Sequence, residues 1–336
     1  MSKITFNNQE MHNLKSETVL DTLLRHNIDV PFSCKSGLCQ TCMLQASKGD
    51  VPESSQKELK DTLKQQNYFL PCNCIPTEDI EVKLPNKNEV YSPAILLSKE
   101  MLAPDICRLI IEPVSPLYYH AGQFINLRKN NNLIRSYSLA SLPQTDNALE
   151  FHIKRMPGGK MSSWLIDKFN IGDKIDFQGP FGNCFYTTDS STSTPDNNNL
   201  ILIGTGTGLA PLLGIIKDAL HNQHHGEIYF YHGSRYYSGL YLQDDLKKLG
   251  QSHNNFHYIP CLSGENIPKD MGILEGRADK IALQEHKDLA SCKVYLCGAP
   301  PMVNNTKKMA YLAGAKLNNI YADPFELTEL RNQSRD

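Results

Sequence analysis

Apolar and polar residues follow different patterns in three successive regions of the chain. In the first region, residues 1–89, short strand-like runs surround the segment SETVLDTLLRHNI. There Val19, Leu20, Leu23 and Leu24 recur at the spacing that places them on one face of a helix. This region is therefore predicted to be an α+β unit with short strands and one amphipathic helix.

The second region, residues 90–190, consists mainly of apolar runs that glycine and proline interrupt. The runs ICRLIIEP, GQFINLR, ALEFHIKRM and GDKIDFQGPFG have the length and composition of strands. Strands broken by turn residues in this way are typical of an antiparallel β-barrel.

The third region, residues 197–336, alternates strands with helices. NLILIG, EIYFYHG and KVYLCG are predicted strands, and PLLGIIKDAL, LYLQDDLKKL and PMVNNTKKMAYLAG are predicted helices. Such an alternation predicts an α/β unit in which helices cover a parallel sheet. The chain as a whole is therefore predicted to be a multi-domain protein of α+β and α/β class.

Two polar segments separate these regions. VKLPNKNEVYSP (82–93) is predicted to be a strand end and a linker, in which we expect Pro85 and Pro93 to block regular structure. TTDSSTSTPDNNN (187–199) has almost no apolar residue and is predicted to be a surface loop or a second linker.

Length, charge and hydropathy narrow the possible classes of protein. A chain of 336 residues is too long for one compact core. Its net charge of −2 gives no indication of a nucleic-acid partner, and no apolar run approaches the length that spans a membrane. The N-terminal MSKITFNNQE lacks the apolar core of a signal peptide, so we expect a cytoplasmic protein. Its ten cysteines are then expected to be ligands or free thiols rather than disulfides.

Four of the cysteines have the spacing of an iron–sulfur site. Cys34, Cys39 and Cys42 form a C-x4-C-x2-C motif, and Cys72 follows in FLPCNC. This is the plant-type spacing for a 2Fe–2S cluster, in which four thiolates hold two irons. Gly37 lies where the loop backbone must approach the cluster closely, because a side chain there would block that approach.

Two other interpretations of the cysteines are possible. Cys39, Cys42, Cys72 and Cys74 could bind a tetrahedral zinc ion, but that set leaves Cys34 unused and needs a tight C-x-C pair. Alternatively, all five could be thiols without a metal. Three cysteines within nine positions, flanked by polar residues and glycine, do not resemble core packing, so the spacing favours the iron–sulfur cluster.

An iron–sulfur cluster needs a source of electrons, and the second region offers candidate ligands for a group that carries phosphate and an aromatic ring. In RSYSLAS, Arg135 presents a fork of donors for phosphate, Tyr137 a flat face and Ser138 a hydroxyl. Further on, the glycine pair at 158–159 opens a helix whose first N–H groups, with Ser162, could bind a pyrophosphate. Taken singly, Tyr137 could be a core residue, Arg135 a surface ion pair and the glycines a turn.

The third region begins with a glycine-rich turn between a strand and a helix, where a dinucleotide phosphate could approach the backbone. The turn consists of Gly204, Thr205, Gly206, Thr207 and Gly208. It departs from the G-x-G-x-x-G fingerprint, and the next strand ends in Ser234 and Arg235 instead of an acidic residue that would bind a ribose. The choice between NADH and NADPH therefore stays open, and Arg235 could contact a phosphate or lie solvated on the surface.

These motifs occur in one order along nearly the whole chain. A ferredoxin-type cysteine loop followed by RSYS, GGKMSS, GTGTGLAP and CGAPPM resembles the ferredoxin–NADP reductase superfamily. More narrowly, it resembles the iron–sulfur flavoprotein reductases of bacterial oxygenases. The resemblance implies a β-grasp ferredoxin domain (1–89), an antiparallel β-barrel FAD domain (90–190) and a parallel-sheet α/β NAD(P)-binding domain (197–336).

The resemblance also implies a function. Electrons would pass from NADH, or alternatively NADPH, through FAD and the 2Fe–2S cluster to a partner protein. That partner would be an oxygenase component or, in the alternative, a dehydrase of deoxysugar synthesis served by a reductase of the CDP-6-deoxy-glucoseen type. Two inert interpretations, a flavin-binding scaffold subunit and a zinc-stabilised binding module on a dead reductase, fit the intact Ser138, Gly206, Gly208 and Cys297 poorly.

Individual roles follow from the resemblance by position. Arg135 would bind the FAD phosphates, Tyr137 would pack on the isoalloxazine and Ser138 would hydrogen-bond flavin N5. The flavin edge and pyrophosphate would lie against His152, Ile153, Lys154, Gly159, Lys160, Met161 and Ser162.

The same resemblance assigns the nucleotide side. The turn at 204–208 and Arg235 would hold NAD(P), Cys297 and Gly298 of CGAPPM would lie beside the nicotinamide, and Phe325 would lie near the flavin. Ser138 and Cys297 are the expected catalytic residues. One departure is Gln40, which stands where many members of the family carry glycine.

Overall fold

Three β-sheets follow one another along the chain, each with its own hydrophobic core. The computed structural model describes residues 1–131, 133–187, 197–264 and 272–325. Most of the polar segment 187–199 lies outside the described residues. The expected multi-domain α+β and α/β class is confirmed.

The first sheet is small and mixed, with strand order β2-β1-β5-β3-β4. Its strands are Lys3–Phe6 (β1), Gln9–His12 (β2), Leu44–Lys48 (β3), Tyr68–Phe69 (β4) and Ile80–Lys83 (β5). Two helices accompany it, Val19–Arg25 (α1) and Asp61–Gln65 (α2). The amphipathic helix predicted from the sequence is α1, whose Val19, Leu20 and Leu23 are fully buried in the core of this domain.

The segment between the first and second sheets is more regular than its prolines suggested. A one-turn helix, Lys87–Val90 (α3), occupies the middle of the predicted linker, and strand Ser92–Ala103 (β6) already includes Pro93. The hydroxyl of Tyr68 donates a 2.7 Å hydrogen bond to Glu89 and so attaches α3 to the first domain. The predicted strand end and the irregular stretch around Pro85 are present, whereas residues 87–90 and Pro93 adopt regular structure that the sequence did not indicate.

The second sheet is antiparallel throughout, with order β10-β7-β6-β11-β8-β9. After β6 its strands are Ile106–Pro113 (β7), Phe124–Asn130 (β8), Leu133–Ser138 (β9), Leu149–Lys154 (β10) and Lys174–Phe181 (β11). The helix Lys160–Asp167 (α4) lies between β10 and β11 and buries Leu165 in the barrel core. All four strands predicted from apolar runs are present.

The third sheet is parallel, with order β15-β14-β13-β12-β16-β17. Its strands are Asn199–Thr205 (β12), Ile228–Ser234 (β13), Phe256–Leu262 (β14), Leu274–Glu275 (β15), Cys292–Gly298 (β16) and Ile320–Pro324 (β17). Its helices are Leu209–His221 (α5), Gln243–Ser252 (α6), Ala278–Glu285 (α7) and Pro300–Leu312 (α8). Because the strands are parallel, the C-terminal ends of β12, β16 and β17 meet at one edge, which faces the barrel.

The longest helices of the described residues, α5 and α8, have 13 residues each. Within the part of the chain that the structure describes, no helix combines the length and hydrophobicity needed to cross a bilayer.

Candidate functional site

A cavity of about 680 Å³ lies where the three domains meet. The first domain contributes the cysteine loop, including Cys34 and Cys39, and the barrel contributes β9 and the start of α4. The third domain contributes Thr207 and the end of β17 up to Phe325. Residues predicted from separate motifs therefore line one common space.

The cysteine loop brings the thiols together in two pairs. The backbone N–H of Cys34 donates to Cys39 Sγ and the N–H of Cys39 donates to Cys34 Sγ, each at 3.3 Å. The Sγ atoms of Cys42 and Cys72 lie 3.4 Å apart. Four thiols in two pairs match a 2Fe–2S cluster, which has two irons and four protein ligands.

In each pair, one thiol donates to the other, and only the accepting thiol is shifted toward the thiolate, the form that binds metals; the same contacts and burial raise the pKa of the Cys39 and Cys42 thiols well above the usual value. Hydrogen bonds from the Cys39 thiol and from the backbone N–H groups of Ser36 and Cys39 lower the pKa of the Cys34 thiol to about 5. The hydrogen bond from Cys42 lowers the pKa of Cys72 in the same way. The residues present therefore fit the cluster.

The zinc alternative fits the structure poorly. Cys74 is fully buried in the core of the first domain, and this burial raises the pKa of its thiol to about 12. Among the described residues, no group of three or more His, Cys, Asp and Glu side chains is arranged to hold a single metal ion. The thiols that the structure pairs are those of Cys34, Cys39, Cys42 and Cys72, so this arrangement favours the cluster set over the zinc set.

Gln40, the departure in the cysteine loop, has a structural explanation. Its φ of +54° lies in the left-handed region that glycine adopts without strain. Its side-chain Nε2 donates a 2.8 Å hydrogen bond to the carbonyl of Glu58, which holds the loop in this conformation. The side-chain bond compensates for the backbone strain, so glycine is not required at this position.

Strand β9 presents the RSYS residues to the cavity. Arg135, Tyr137 and Ser138 all line it, as expected. Arg135 donates a 2.8 Å hydrogen bond to the carbonyl of Ile134, which fixes the direction of its guanidinium. The Ser138 hydroxyl donates to Asp323 Oδ2 at 3.1 Å and so links the barrel to β17.

Asp323 is a residue that the sequence reasoning missed. It lines the cavity, and its burial raises the pKa of its carboxyl from 3.8 to about 6. The sequence could have indicated Asp323 through its position, two residues before Phe325 in an otherwise uncharged strand end. Phe325 also lines the cavity, and its backbone N–H donates a 2.8 Å hydrogen bond to the carbonyl of Gly298.

The three residues expected at the flavin edge have different environments. The ring of His152 is buried, with Nδ1 3.0 Å from the Tyr241 hydroxyl and Nε2 3.0 Å from Glu150 Oε1. Burial lowers the pKa of His152, so this ring is a neutral connection between the barrel and the third domain. Ile153 lies in the barrel core, whereas Lys154 is exposed and borders the cavity.

Helix α4 begins at the edge of the cavity. Gly159 is its N-cap residue, and Gly159, Met161 and Ser162 line the cavity, while Lys160 is exposed. The Ser162 hydroxyl accepts from the backbone N–H of Met156 at 3.1 Å and donates to the carbonyl of Gly159 at 3.3 Å. Ser162 therefore shapes the turn, and the free N–H groups of the first helical turn are the donors left for a phosphate.

A second cavity of about 440 Å³ lies beside the glycine-rich turn of the third domain. Thr205 and Gly206 line it, and Gly206 has a φ of +57° with no atom within 4 Å of where a Cβ would stand. At Gly208, in contrast, a Cβ would lie 2.3 Å from the Cys297 carbonyl oxygen. Gly204 is a packing residue too, because a Cβ there would lie 2.7 Å from Leu212. Open backbone at Gly206 fits the approach of a dinucleotide.

Two arginines border this second cavity. Arg235 was expected there, and Arg277 was not. The guanidinium of Arg277 binds Asp279 through two hydrogen bonds of 3.0 and 3.1 Å, whereas the guanidinium of Arg235 lies over the ring of Tyr236.

Cys297 lies behind the wall of the first cavity. It is fully buried, and its Sγ is 3.8 Å from the Sγ of Cys184, which lines the cavity. Burial raises the pKa of the Cys297 thiol, so it is protonated at neutral pH. Neighbouring Gly298 has a φ of +126°, and a Cβ there would lie 2.5 Å from Thr205 Oγ1. CGAPPM and the glycine-rich turn are thus packed directly on each other.

Three family models match successive parts of the chain. They are the 2Fe-2S iron-sulfur cluster binding domain (residues 4–77), the oxidoreductase FAD-binding domain (93–186) and the oxidoreductase NAD-binding domain (202–308). Their order is the order of the cysteine loop, β9 and the glycine-rich turn described above. The expected domain borders at residues 89, 90, 190 and 197 stay predictions.

Several characterised proteins are similar over most of their length. The chain is 30% identical over 332 residues to the reductase component of propane 2-monooxygenase from Gordonia sp. (strain TY-5), covering 94% of each chain. It is 32% identical over 302 residues to the reductase subunit of aromatic O-demethylase from Amycolatopsis sp., covering 85% of this chain and 87% of the other.

Among solved structures, an Amycolatopsis cytochrome P450 reductase is similar with a TM-score of 0.68 and 27% identity, covering 97% of this chain and 99% of the other. These full-length similarities point to the same kind of protein as the four paired thiols and the cavity shared by three domains. The chain belongs to the family of NAD(P)H-dependent iron–sulfur flavoprotein reductases that includes the reductase components of oxygenases.

Proposed function

We propose that this chain takes electrons from NADH and delivers them through FAD and its 2Fe–2S cluster to a partner oxygenase component. The observation that carries this proposal is the single cavity of about 680 Å³ that the cysteine loop, strand β9 and the end of β17 line together. Bound FAD supplies the exchange between a donor of two electrons and an acceptor of one.

The residues of the chain bind and orient the reactants in this proposal. Arg135 and the first turn of α4 bind the flavin phosphates, and the open backbone at Gly206 receives the nucleotide. Tyr137 and Phe325 offer aromatic faces that exclude water from the cavity. The hydrogen bond from Ser138 to Asp323 holds the hydroxyl at the place where the barrel meets the third domain.

Catalysis then depends mainly on how the chain aligns the nicotinamide with the flavin. Acid or base chemistry matters less, since a hydride carries its own electron pair. Cys297 assists indirectly in this account. Its buried, neutral thiol fills the space behind Cys184, and its backbone packs against the nucleotide turn at Gly208.

The identity of the partner is inferred from relatives. The similar proteins reported above are reductases of a propane monooxygenase and an aromatic O-demethylase. They favour an oxygenase-type acceptor over the deoxysugar dehydrase of the alternative interpretation. A cytoplasmic location belongs to the same proposal.

Cofactor content tests this proposal directly. The purified chain should be red-brown and contain about two irons and one FAD. Cys72→Ser should lose the iron, because a serine oxygen is a much weaker ligand than a thiolate, whereas the matched variant Cys74→Ser should keep it. Zinc in place of iron after anaerobic purification would contradict the assignment of the cluster. So would a result in which Cys74→Ser loses iron and Cys72→Ser keeps it.

A further inference from the structure

Asn126 is a fully buried polar residue on the outward face of the barrel sheet. Its neighbours Ile125 and Leu127 belong to the barrel core, and side chains alternate between the two faces of a strand. The Asn126 side chain therefore points away from that core. Its cross-strand partners are Ser136 on β9 and Gln178 on β11.

The side-chain amide of Asn126 forms hydrogen bonds through both its oxygen and its nitrogen. Its Oδ1 accepts a 2.8 Å hydrogen bond from the Ser136 hydroxyl, and its Nδ2 donates to Gln178 Oε1 at 3.4 Å. The shorter Nδ2 bond, at 2.8 Å, goes to the carbonyl oxygen of Cys39 in the first domain. A buried amide with its bonds satisfied in this way is rigid, since losing any one of them leaves a desolvated polar group.

The two ends of this hydrogen-bonded path, Ser136 and Cys39, both lie next to proposed cofactor sites. Ser136 lies between Arg135 and Tyr137 on the strand that lines the flavin cavity, and Cys39 is one of the four cluster cysteines. The path therefore connects the flavin strand to a cluster ligand through one side chain.

The loop is shaped so that the Cys39 carbonyl can reach the barrel. The left-handed φ of +54° at Gln40 turns the chain immediately after Cys39. The hydrogen bond from Gln40 to the Glu58 carbonyl holds that turn from inside the first domain.

The first domain has another attachment to the barrel at its linker. Lys87 of α3 forms a 2.9 Å ion pair with Asp176, which also pairs with Arg128 at 2.7 Å, and Arg128 lies over the ring of Tyr91. A domain held only at its linker could turn about that point, because relative motion of domains is the usual expectation. A second attachment at the cluster loop removes that freedom.

We propose that Asn126 is a positioning residue for electron transfer, holding the Cys39 side of the cluster loop against the flavin cavity. The proposal rests on the electron path proposed above and extends it. Asn126 touches no cofactor in this account and acts through Cys39. Its loss should therefore affect the step between flavin and cluster and leave the step between NADH and flavin unchanged.

The test compares Asn126→Leu with wild type. Leucine has a similar size but cannot donate to the Cys39 carbonyl. Asn255→Leu is the matched control, because Asn255 also donates two hydrogen bonds through Nδ2, in its case to the carbonyls of His224 and Gly226, but lies within the third domain. If Asn126→Leu fails to fold, Asn126→Ala decides the question, since it removes the donor to the Cys39 carbonyl without adding bulk or charge.

Two measurements are made on the loaded proteins. In anaerobic stopped-flow mixing with NADH, we expect flavin reduction at the wild-type rate and cluster reduction slowed roughly tenfold or more by the misplaced loop. Hydrogen–deuterium exchange gives a readout independent of activity: backbone amides of residues 34–42 should exchange faster in Asn126→Leu and not in Asn255→Leu. Iron and FAD contents should equal those of wild type.

Several outcomes would overturn the proposal. One is cluster reduction at the wild-type rate in the Asn126 variant with both cofactors bound, and another is unchanged exchange in 34–42. Equal slowing of flavin and cluster reduction would also overturn it, because that pattern indicates general damage to the barrel. Failure of the underlying electron path would be visible separately, since the wild-type cluster would then not be reduced after the flavin.

Discussion

At the scale of single residues, Ser138 and Asp323 illustrate how the site joins distant parts of the chain. They are 185 positions apart, and one hydrogen bond of 3.1 Å connects them at the cavity. The sequence indicated Ser138 through its RSYS motif but gave no sign that a buried carboxylate would be its acceptor. The burial of Asp323 depends on how the third domain packs on the barrel, which local sequence does not encode.

The buried carboxyl of Asp323 should make stability depend on pH. Burial raises its pKa from 3.8 to about 6, so ionisation destabilises the folded state as the pH rises through this window. Asp323→Asn removes the charge, so we expect it to be more stable than wild type at pH 8, by at most about 3 kcal/mol, with the difference disappearing below pH 4. Denaturant midpoints of the two proteins across this pH range measure the effect.

Asp167 provides the control with the opposite sign. Its hydrogen bonds to Arg155 lower the pKa of its exposed carboxyl. Asp167→Asn should therefore lose a small stabilisation above the normal pKa of aspartate and none at low pH. A stability difference for Asp323→Asn that does not change with pH would show that its carboxyl is not the cause.

Nucleotide preference is a second prediction at this scale. The second cavity has cations at Lys154, Arg235 and Arg277, but Asp105 and Asp279 pair with two of them. Because two of the three cations that the described residues place at this cavity are already paired with carboxylates, we expect kcat/KM for NADH to exceed that for NADPH tenfold or more, about 1.4 kcal/mol. Steady-state rates with both nucleotides decide this. If NADPH is preferred, the prediction is wrong, and Arg235→Ala should then abolish the preference.

At the scale of elements, much of the architecture follows from sequence pattern. The amphipathic helix α1, the four barrel strands and the alternating third domain were all indicated by periodicity and by turn residues. Helix α3 was not, because Tyr68 and Asp176, which hold it, belong to two different domains. The contact of Asn126 with Cys39 was also invisible, since it depends on the register of β8 and on how two domains pack together.

The glycine-rich turn gives a prediction at the scale of elements. Gly206 faces open space and Gly208 packs on Cys297, so alanine should have different effects at the two positions. Gly206→Ala should raise KM for NADH roughly tenfold by obstructing the nucleotide, with a strain of only about 1 kcal/mol. Gly208→Ala should destabilise the third domain by about 1–3 kcal/mol through overpacking. NADH kinetics and thermal unfolding measured on both variants separate these effects, and identical behaviour of the two would contradict the assignment of Gly206.

At the scale of the whole molecule, three domains meet around one cavity. The sites that they supply follow one another in the order of the proposed electron path. The third domain supplies the nucleotide turn, the barrel supplies the flavin strand, and the first domain supplies the cluster. Each sheet has its own hydrophobic core, so damage to the cluster should leave the other two domains folded. This separation makes the order of the steps testable.

The most direct test of the central claim is anaerobic stopped-flow reduction of Cys39→Ser by NADH. The variant should lack an intact cluster but bind FAD, because the core of the first domain is separate from the cores of the barrel and of the third domain. Its flavin should bleach at the wild-type rate and reduce ferricyanide, and the protein should no longer reduce cytochrome c. Ser138→Ala should show the converse, with slow flavin reduction and an intact cluster. Loss of flavin reduction in Cys39→Ser with FAD still bound would contradict the order of electron transfer.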